Sequence, residues 1–397
     1  MHKLNKSKRL YLGIFTSLMI GSVGVWLLSN SHASTPTASI EAEAGTLSSG
    51  ATTVTDAIAS GGHAVLFNAL GVQVPTSIAS DCSQDVTAAL LSWIASVPDN
   101  STIQFGSNKC YRIDGTLELT GRNGLTFEGN GSKFDGHFVA LNDQAAIWRV
   151  WNSTGITFNS MAIVGPYASG GTFTSAYQHA HAVDLRGTSA SLSNLTLNNV
   201  SGDCVYFGLG SDNVTKSSGT FSSSSCVGTG RNGVSVTAGQ NITVSHVTLD
   251  KIGFETFDVE PNIGSGWGAS NIVFDSNIVK KYYLYGFSIV ENAPIDTVTF
   301  SNNTFIGSGL RGAVGNPIAQ NYRPQHLLYK NNTSDTPQNP AALNIDNANF
   351  VTVTGNTVPL TSGTFVSSSN SCSVTVSGNS FPGGTTEVSL TNPVTSC

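Results

Sequence analysis

The sequence predicts an all-β protein whose strands are wound into a parallel solenoid, and three observations support this fold class. Short segments in which apolar and polar residues alternate recur along the chain, and glycine, asparagine or serine bounds each one. From residue 241 onward these segments repeat every 23 to 30 residues. No helix of the length that a leucine-rich repeat needs lies between them. Because one coil cannot bury its apolar face alone, the repeats must stack and share one long core.

The repeat units supply the strands in order. The later units read "NITVSHV", "NIVFDSNIV", "DTVTFSNNTFI", "HLLYKNNT", "FVTVTGNTV" and "SVTVSGNSF". Their first apolar residues are Ile242, Ile272, Val298, Leu327, Val351 and Val374. Each unit continues through a glycine or asparagine turn into a second short strand, and asparagines at equivalent turns can stack into amide ladders. A propeller is the main alternative, but its blades are longer and carry tryptophan-rich signatures that this sequence lacks.

Residues 83–99, "SQDVTAALLSWIASVPD", predict a helix that caps the open end of the solenoid. An exposed solenoid end needs such a cap. Ser83 or Asp85 can cap the start of the helix, and Pro98 ends it. One face carries apolar residues at helical spacing, which are Val86, Ala89, Leu90, Trp93, Ile94 and Val97.

The N-terminal segment predicts export. Residues 1–33 begin with a basic stretch, continue with the apolar residues 11–28 and end in "SHA", a pattern typical of a signal peptide and its cleavage site. The apolar stretch is also long enough to remain as a membrane anchor. Either outcome places the rest of the chain outside the cytoplasm, so we expect a secreted or cell-surface protein.

Composition narrows the choice of partners. Removing residues 1–33 leaves 14 Lys and Arg against 24 Asp and Glu, a net charge of −10. With so few cations and no basic run, a nucleic-acid partner is not expected. The surface, rich in Gly, Ser, Thr and Asn, suits hydrogen bonding to sugars, and the acidic balance disfavours a strongly anionic polymer unless a metal bridges the two. We expect a monomer whose partner is a polysaccharide or cell-surface glycan.

Six cysteines in an exported chain indicate disulfides rather than a zinc site. Six cysteines allow fifteen pairings, and sequence alone cannot prove one. Short loops favour the local pairs, which are Cys82 with Cys110, Cys204 with Cys226 and Cys372 with Cys397.

Residues 80–397 resemble the pectate-lyase-like right-handed parallel β-helix superfamily, including the opening "DCSQDVTAALLSWIASVPDNSTIQF" and the later "CYRIDGTLEL". That superfamily contains lyases, hydrolases, epimerases, phage tailspikes and adhesins, so function must come from the site. Residues 34–79 are expected to be a linker that resembles the start of a carbohydrate-binding module. In that module family, glutamates equivalent to Glu41 and Glu43 help to hold calcium.

Strand alternation aligns the second strands of the coils. Apolar pairs that point inward are Val183 with Leu185, Val205 with Phe207, Val234 with Val236, Phe257 with Val259, Phe287 with Ile289 and Leu343 with Ile345. The residues between them point outward, and these are Asp184, Tyr206, Ser235, Asp258, Ser288 and Asn344. Two residues before each pair lie His181, Asp203, Asn232, Glu255 and Tyr285, and one residue after lie Arg186, Gly208, Thr237 and Glu260.

These columns predict a glycan-binding groove with catalytic carboxylates. Coils stack about 4.8 Å apart, so Asp203 and Glu255 lie about 9.6 Å apart along the axis, near the spacing that inverting glycosidases use. The predicted catalytic residues are Asp203, Glu255, Asp258 and His181. The predicted substrate-binding residues are Asp184, Tyr206, Arg231, Asn232, Glu260, Tyr285 and His179. Each of these polar residues also has a structural interpretation, such as a turn cap or a solvated strand end.

The segments "GDCV" and "CVGTGRNGVSV" resemble the polygalacturonase family of glycoside hydrolases. In that family an Asp-Asp-Cys strand and a Cys-x-x-Gly-His-Gly strand lie on successive coils. The resemblance places Asp203 at the second aspartate, Asn232 at the histidine and His181 at a catalytic aspartate. Gly202 replaces the first aspartate, and no Arg-Ile-Lys strand follows, so the machinery of that family is incomplete.

Three functions remain open from the sequence. One is a glycan hydrolase that uses Asp203 with Glu255 or Asp258. Another is a lyase or epimerase on uronate polymers, in which calcium at Asp258 and Glu260 acidifies a proton that Arg231 or His181 removes. The third is a non-catalytic glycan-binding or adhesion protein. Calcium is the possible cofactor, and no other cofactor is expected.

Overall fold

The computed structural model describes residues 51–55, 63–67, 71–137, 146–168, 170–173, 175–290, 292–315, 322–337, 341–395 and 397. The predicted signal peptide or anchor, and the glutamates Glu41 and Glu43, lie outside these residues. Within them, no helix has the length and apolar character to cross a membrane. The chain divides into two compact units, residues 1–69 and 70–397.

The first unit contains one antiparallel strand pair, β1 (Ala51–Thr55) and β2 (His63–Phe67). The second unit begins with β3 (Val72–Gln73), β4 (Asp81–Asp85), α1 (Thr87–Ser96), β5 (Thr102–Gln104), β6 (Cys110–Ile113), β7 (Leu117–Thr120), β8 (Thr126–Gly136), β9 (Ala146–Trp151), β10 (Ile156–Val164), a 3₁₀ turn (Ser175–Tyr177), β11 (His181–Arg186), β12 (Ser189–Ser193), β13 (Thr196–Val200), β14 (Val205–Gly208), β15 (Ser217–Ser222) and β16 (Ser225–Thr229).

It continues with β17 (Val234–Val236), β18 (Ala238–Ser245), β19 (Thr248–Asp250), β20 (Glu255–Val259), β21 (Gly268–Asp275), β22 (Ile278–Val279), β23 (Tyr285–Ile289), β24 (Ile295–Ser301), β25 (Thr304–Phe305), β26 (Gly312–Val314), β27 (Gln325–Lys330), β28 (Thr333–Ser334), β29 (Ala341–Asp346), β30 (Asn349–Thr354), β31 (Thr364–Ser369), β32 (Cys372–Ser377) and β33 (Thr386–Thr391).

The second unit is a right-handed parallel β-helix, as predicted. One long sheet, the site sheet, runs through β7, β9, β11, β14, β17, β20, β23, β26, β29, β31 and β33. The remaining strands of the unit form the back sheet, in which one coil contributes two strands separated by a tight turn. Every strand pair that the structure describes within this unit is parallel.

The predicted repeat units lie in register on the back sheet. Ile242 pairs with Ile272, and the pairing continues through Val298, Leu327, Val351 and Val374. All but Val374 are buried in the core. Aromatic rings stack along it, with centroid distances of 5.1 Å between Phe274 and Phe300 and 5.2 Å between Phe300 and Tyr329.

The predicted asparagine ladder is confirmed at the tight turns of the back sheet. The Asn303 Oδ1 atom accepts hydrogen bonds of 3.0 Å from the backbone N–H and from the side-chain amide of Asn277. The same pattern links Asn303 to Asn332, Asn332 to Asn356 and Asn356 to Asn379. Each side chain thereby satisfies polar groups that the stacking of coils removes from water.

The helical cap is also confirmed, with a later start than predicted. The helix begins at Thr87 because residues 81–85 form a strand, and Asp85 Oδ1 accepts the Thr87 N–H at 3.0 Å. Leu90 and Ile94 are buried on its inner face as expected, whereas Ala89 is exposed. The structure contains the three disulfides favoured by the sequence, Cys82–Cys110, Cys204–Cys226 and Cys372–Cys397.

Candidate functional site

The site sheet holds the residues of the outer column side by side, because its strands stack without a register shift there. Asp184 pairs with Tyr206, Tyr206 with Ser235, Ser235 with Asp258 and Asp258 with Ser288. The apolar neighbours of these residues lie in the core. The column predicted from the alternation is therefore present, and it continues through Ala313 of β26, a coil that the alignment missed.

The missed coil has a physical explanation. Gly312 takes the position where other coils carry a large apolar side chain, so the sequence shows no apolar pair. A Cβ atom at Gly312 would lie 2.6 Å from the Leu343 Cδ2 atom, which fills that part of the core.

The outer surface is more closed than the sequence predicted. Asp184, Asp203, Asn232 and Asp258 are fully buried, so the expectation that these side chains line an open groove is wrong. Each of these polar groups binds a partner on an adjacent coil, such as Arg149 for Asp184 and Asn232 for both Asp203 and Asp258. The accessible part of the cluster is the Glu260 side chain, which is 37% exposed, with Glu255 beneath it at 6%.

Arg231 is at the centre of the acidic cluster. Its Nη1 atom lies 3.2 Å from Asp203 Oδ2, and its Nη2 atom lies 3.4 Å from Glu260 Oε2 and 3.7 Å from Asp258 Oδ2. These three carboxylates raise the pKa of the Arg231 guanidinium, although burial acts in the opposite direction. Arg231 therefore stays cationic and cannot serve as the proton-abstracting base that the lyase hypothesis assigned to it.

Asn232 joins the coils on either side of it. Its backbone N–H donates to Asp203 Oδ1 at 2.9 Å, and its side-chain amide donates to Asp258 Oδ2 at 2.8 Å. Its Oδ1 atom accepts the backbone N–H of Glu255 at 3.0 Å. Asp203 and Glu255, two coils apart, thus lie in the same column, and the backbone N–H and the side-chain carbonyl of Asn232 connect them.

Glu255 and Asp258 form a carboxyl pair. Burial first, and the Glu260 charge second, raise the pKa of Glu255 to about 7. Burial and the Glu255 charge raise the pKa of Asp258 well above its usual range. Asp258 Oδ1 meets no N–H or hydroxyl donor among the described residues. Because two buried ionised carboxylates repel each other, the pair favours a state in which one of the two groups holds a proton.

Asp203 and Glu260 also hold their protons more tightly than free carboxyl groups do. Burial raises the pKa of both, although Arg231 acts in the opposite direction on each. The cluster thus contains four carboxyl groups with raised pKa values around one guanidinium. One guanidinium cannot offset so many charges in a low dielectric, so part of the cluster is protonated near neutral pH.

His181 is held in its neutral form. Burial and the nearby Arg231 charge lower its pKa well below the usual value. Its Nδ1 atom accepts the backbone N–H of Asp203 at 3.1 Å, which leaves the proton on Nε2. The ring stacks on Tyr206 with a centroid distance of 4.7 Å, and the Tyr206 hydroxyl oxygen accepts a hydrogen bond from Thr237 at 2.8 Å. Both side chains are buried, so His181 contacts the cluster from inside the protein and does not meet solvent.

The remaining predicted residues lie at the margins. Asp184 forms ion pairs with Arg149 and Arg186 at 2.8 and 2.9 Å. Its carboxylate is therefore occupied within the protein and does not face a substrate. Tyr285 is half-buried under the Arg311 guanidinium, 4.9 Å from the ring centroid. His179 is half-buried, with its ring centroid 6.2 Å from that of His181.

The sequence analysis missed Arg149 and Glu118. They lie in register with Asp184, and Arg149 Nη1 is 3.7 Å from Glu118 Oε2. The alternation in "AIWRVW" is the signal that could have indicated Arg149, and that in "LELT" the one that could have indicated Glu118.

The arrangement does not fit the calcium ion predicted at Asp258 and Glu260. The Arg231 guanidinium already lies between these two carboxylates, and a cation would have to displace it. In the part of the chain that the structure describes, the only group with metal-ligand spacing is Cys82, Cys110 and Asp135. The two cysteines there form a disulfide, so they offer no thiolate.

The solved structures that are similar to this chain include the following three. The surface adhesin PfbA of Streptococcus pneumoniae has a TM-score of 0.52 at 12% identity, covering 80% of this chain and 93% of that chain. A tailspike mutant of E. coli bacteriophage HK620 in complex with a pentasaccharide has a TM-score of 0.55 at 14% identity, covering 82% and 64%. A hyperthermoactive exopolygalacturonase from Thermotoga maritima has a TM-score of 0.51 at 8% identity, covering 82% and 92%.

No protein-family model matches the chain, and no curated protein matches it. At the identities of the structural matches, the similarity establishes the fold and leaves the chemistry to the site. The chain therefore has a right-handed parallel β-helix fold.

Proposed function

We propose that the protein is an exported enzyme that binds a polysaccharide along the site sheet and hydrolyses a glycosidic bond with paired carboxyl groups. The observation that carries this proposal is the cluster of Glu255, Asp258 and Glu260 around Arg231, in which Glu255 has a pKa of about 7. A carboxyl group that keeps its proton near neutral pH is suited to donate it to a leaving-group oxygen.

Glu255 is the general acid in this proposal. Burial and the Glu260 charge raise its pKa, so it keeps its proton near neutral pH, and the fully buried Asp258 close to it has no contact with solvent. Glu260 is the accessible carboxylate that activates water or stabilises positive charge on the sugar ring. Arg231 orients Glu260 through their 3.4 Å contact.

Asp203, which the sequence analysis placed among the acids and bases, becomes a positioning residue. Its carboxylate is fully buried and accepts from Arg231 and from the Asn232 backbone, so it cannot reach a substrate in this arrangement. It holds Arg231 in place from the side opposite Glu260.

The fold relatives agree with a glycan as the ligand. One is an exopolygalacturonase, and another is a tailspike protein in complex with a pentasaccharide. Export is supported by the N-terminal pattern and by the six cysteines, all of which form disulfides.

A non-catalytic glycan-binding protein is the second candidate function. Burial of Asp203 and Asp258 favours it, because buried acids that satisfy one another stabilise a fold without meeting a substrate. A lyase or epimerase has less support, because Arg231 is firmly protonated and His181 is covered.

Product analysis with the purified chain tests these alternatives. The protein is incubated with plant, algal and bacterial polysaccharides, and new reducing ends and ultraviolet absorbance are recorded. Hydrolysis gives reducing ends without absorbance, and Glu255→Gln should lower the rate at least about a hundredfold. The matched control Glu387→Gln, on the last strand of the same sheet, should leave it unchanged. Absorbing unsaturated ends would overturn hydrolysis in favour of elimination, and retention on a glycan without any product would favour binding alone.

A further inference from the structure

A groove with a volume of about 490 Å³ lies beside the acidic cluster, at the turns that precede β20 and β23. Two lysines and two tyrosines line it, namely Lys251, Lys281, Tyr282 and Tyr283. On one side the wall is the glycine pair Gly170 and Gly171. A Cβ atom at Gly170 would lie 2.3 Å from the Gly228 Cα atom, so only glycine lets this wall pack so closely.

The two lysines occupy equivalent positions on adjacent coils. Ile252 pairs with Tyr282 in parallel, which places Lys251 beside Lys281 at a backbone separation of about 4.8 Å. Both are exposed, and across the described residues neither has a carboxylate within ion-pair distance. Two adjacent cations repel each other. An anionic group from outside the chain would relieve that repulsion.

Aromatic rings continue the groove on its outer side. The Tyr283 side chain is 67% exposed. Phe254 lies between Phe173 and Tyr283, with centroid distances of 4.7 and 6.5 Å. An exposed aromatic face beside charged donors is the combination that small-molecule sites use to fix both the flat face and the polar edge of a ligand.

The turns that line the groove continue into the strands that carry the candidate acid and its neighbour Tyr285. Phe254 immediately precedes Glu255, and its carbonyl accepts the Leu284 N–H at 2.9 Å. Tyr285, two residues after Tyr283, pairs with Glu255. A sugar chain that crosses the acidic cluster therefore meets Lys251, Lys281 and Tyr283 next.

We propose that this groove binds an anionic sugar unit, carrying a carboxylate or a sulfate, of the polysaccharide whose cleavage is proposed above. The inference rests on that proposed function, because it names the substrate class of the same surface. The lysines hold the anionic group, and Tyr283 lies against the sugar ring. The chain is acidic as a whole, but the charge at this groove is positive, and local charge decides the contact.

Affinity electrophoresis tests the groove without needing turnover. The Glu255→Gln chain, which should not cleave, is run through gels that contain a polyuronate, a sulfated galactan or a neutral galactan. We expect retardation by one of the two anionic polymers, whichever carries the matching group, and none by the neutral one. Lys251→Gln with Lys281→Gln should weaken that binding about tenfold or more, and added salt should weaken it further. Tyr283→Ala should also weaken it, and the control Lys330→Gln, an exposed lysine on the back sheet, should not.

The possible failures are distinguishable from those of the proposed function. Equal retardation by neutral and anionic polymers, or binding unaffected by the two lysine substitutions, would overturn the groove while leaving hydrolysis intact. The groove would also be overturned if the unsubstituted chain released reducing ends from a neutral polymer and no anionic polymer retarded it. Hydrolysis would then still stand. If lysine-dependent retention occurs but no polymer is cleaved, the groove is supported and hydrolysis is not.

Discussion

Arg231 shows at the scale of a single residue how a buried charge is stabilised by its partners. Its side chain is 11% exposed and faces Asp203 on the coil before it, and Asp258 and Glu260 on the coil after it. Each carboxylate depends on the guanidinium, since removing one member of a buried ion pair leaves the other member uncompensated.

Arg231→Gln should therefore lower the free energy of unfolding by about 3 to 5 kcal/mol at pH 8. The loss should be smaller at pH 4, where the carboxyl groups carry protons and no longer need a cation. Chemical denaturation at the two pH values measures both. Arg112→Gln, whose partner Asp114 lies at the surface, is the control and should change stability little. An equal loss at both pH values would show that Arg231 acts by packing rather than by charge.

Glu255 makes stability depend on pH in a defined direction. Its pKa is about 7 in the folded chain and 4.5 in the unfolded chain, so between these values the folded state holds a proton that the unfolded state releases. The free energy of unfolding should therefore fall as the pH rises from about 4.5 to about 7. Glu255→Gln should flatten this fall when denaturation is followed across the range, and Glu387→Gln should not.

The same proton predicts a pH profile for activity. If Glu255 is the general acid, turnover should decline as the pH rises through about 7, because the acid is then ionised before it meets substrate. The rate at polysaccharide concentrations well below saturation, from pH 5 to 9, measures this, because it reports the ionisation of the free enzyme. A flat profile up to pH 9 would remove Glu255 from that role.

The asparagine ladder shows how one turn residue repeats the same hydrogen bonds on successive coils, from Asn277 to Asn379. Asn303, in the interior of the ladder, accepts two hydrogen bonds from Asn277 on the coil before it and donates to Asn332 on the coil after it. The turn is tight because these side chains replace water at buried backbone groups. Substituting an interior asparagine of the ladder should therefore lower the free energy of unfolding more than substituting an ordinary surface residue.

Asn303→Ala should lower the free energy of unfolding by about 2 to 4 kcal/mol, because it leaves buried donors of Asn277 without an acceptor. Ser191→Ala, at an outward position of a back-sheet strand, is the matched control and should change it by less than about 0.5 kcal/mol. Chemical denaturation of the three proteins is the measurement. Equal stability of the three would show that water can enter the turn.

At the scale of the whole molecule, the Cys204–Cys226 disulfide crosses the core between the two sheets. Cys226 lies in register with Leu197 and Leu249 of the back sheet, and Cys204 immediately precedes the site-sheet strand β14. Both cysteines are fully buried. The bridge thus lies in the middle of the solenoid, below Asp203.

Replacing both cysteines with alanine should lower the free energy of unfolding by about 3 kcal/mol or more. The unfolded chain loses a loop constraint, and a cavity remains in the folded core. The same change at Cys372 and Cys397 should cost less, since Cys397 is exposed and the final strand is largely solvent-facing. Denaturation midpoints compare the two. A larger loss at the C-terminal pair would contradict a central role for the buried bridge.

The sequence by itself determined the fold class and the strand columns, and short loops favoured the disulfide pairs that the structure contains. Strand alternation and repeat spacing are local signals, and stacking coils turns them into register without further information. That is why Asp203, Asn232 and Glu255 could be placed on one face before the structure was considered. The coil at Gly312–Val314 was not predicted, because a glycine lies at its core position and gives no apolar signal in the sequence.

Only the tertiary structure decided which of these side chains meet solvent and which bind one another. Burial depends on what neighbouring coils and turns place above a residue, and no local pattern contains that information. Asp203 thereby became a partner of Arg231, whereas Glu260 stayed accessible. Lys251 and Lys281 lie 30 residues apart in the chain, and they share a groove because one coil stacks directly on the next.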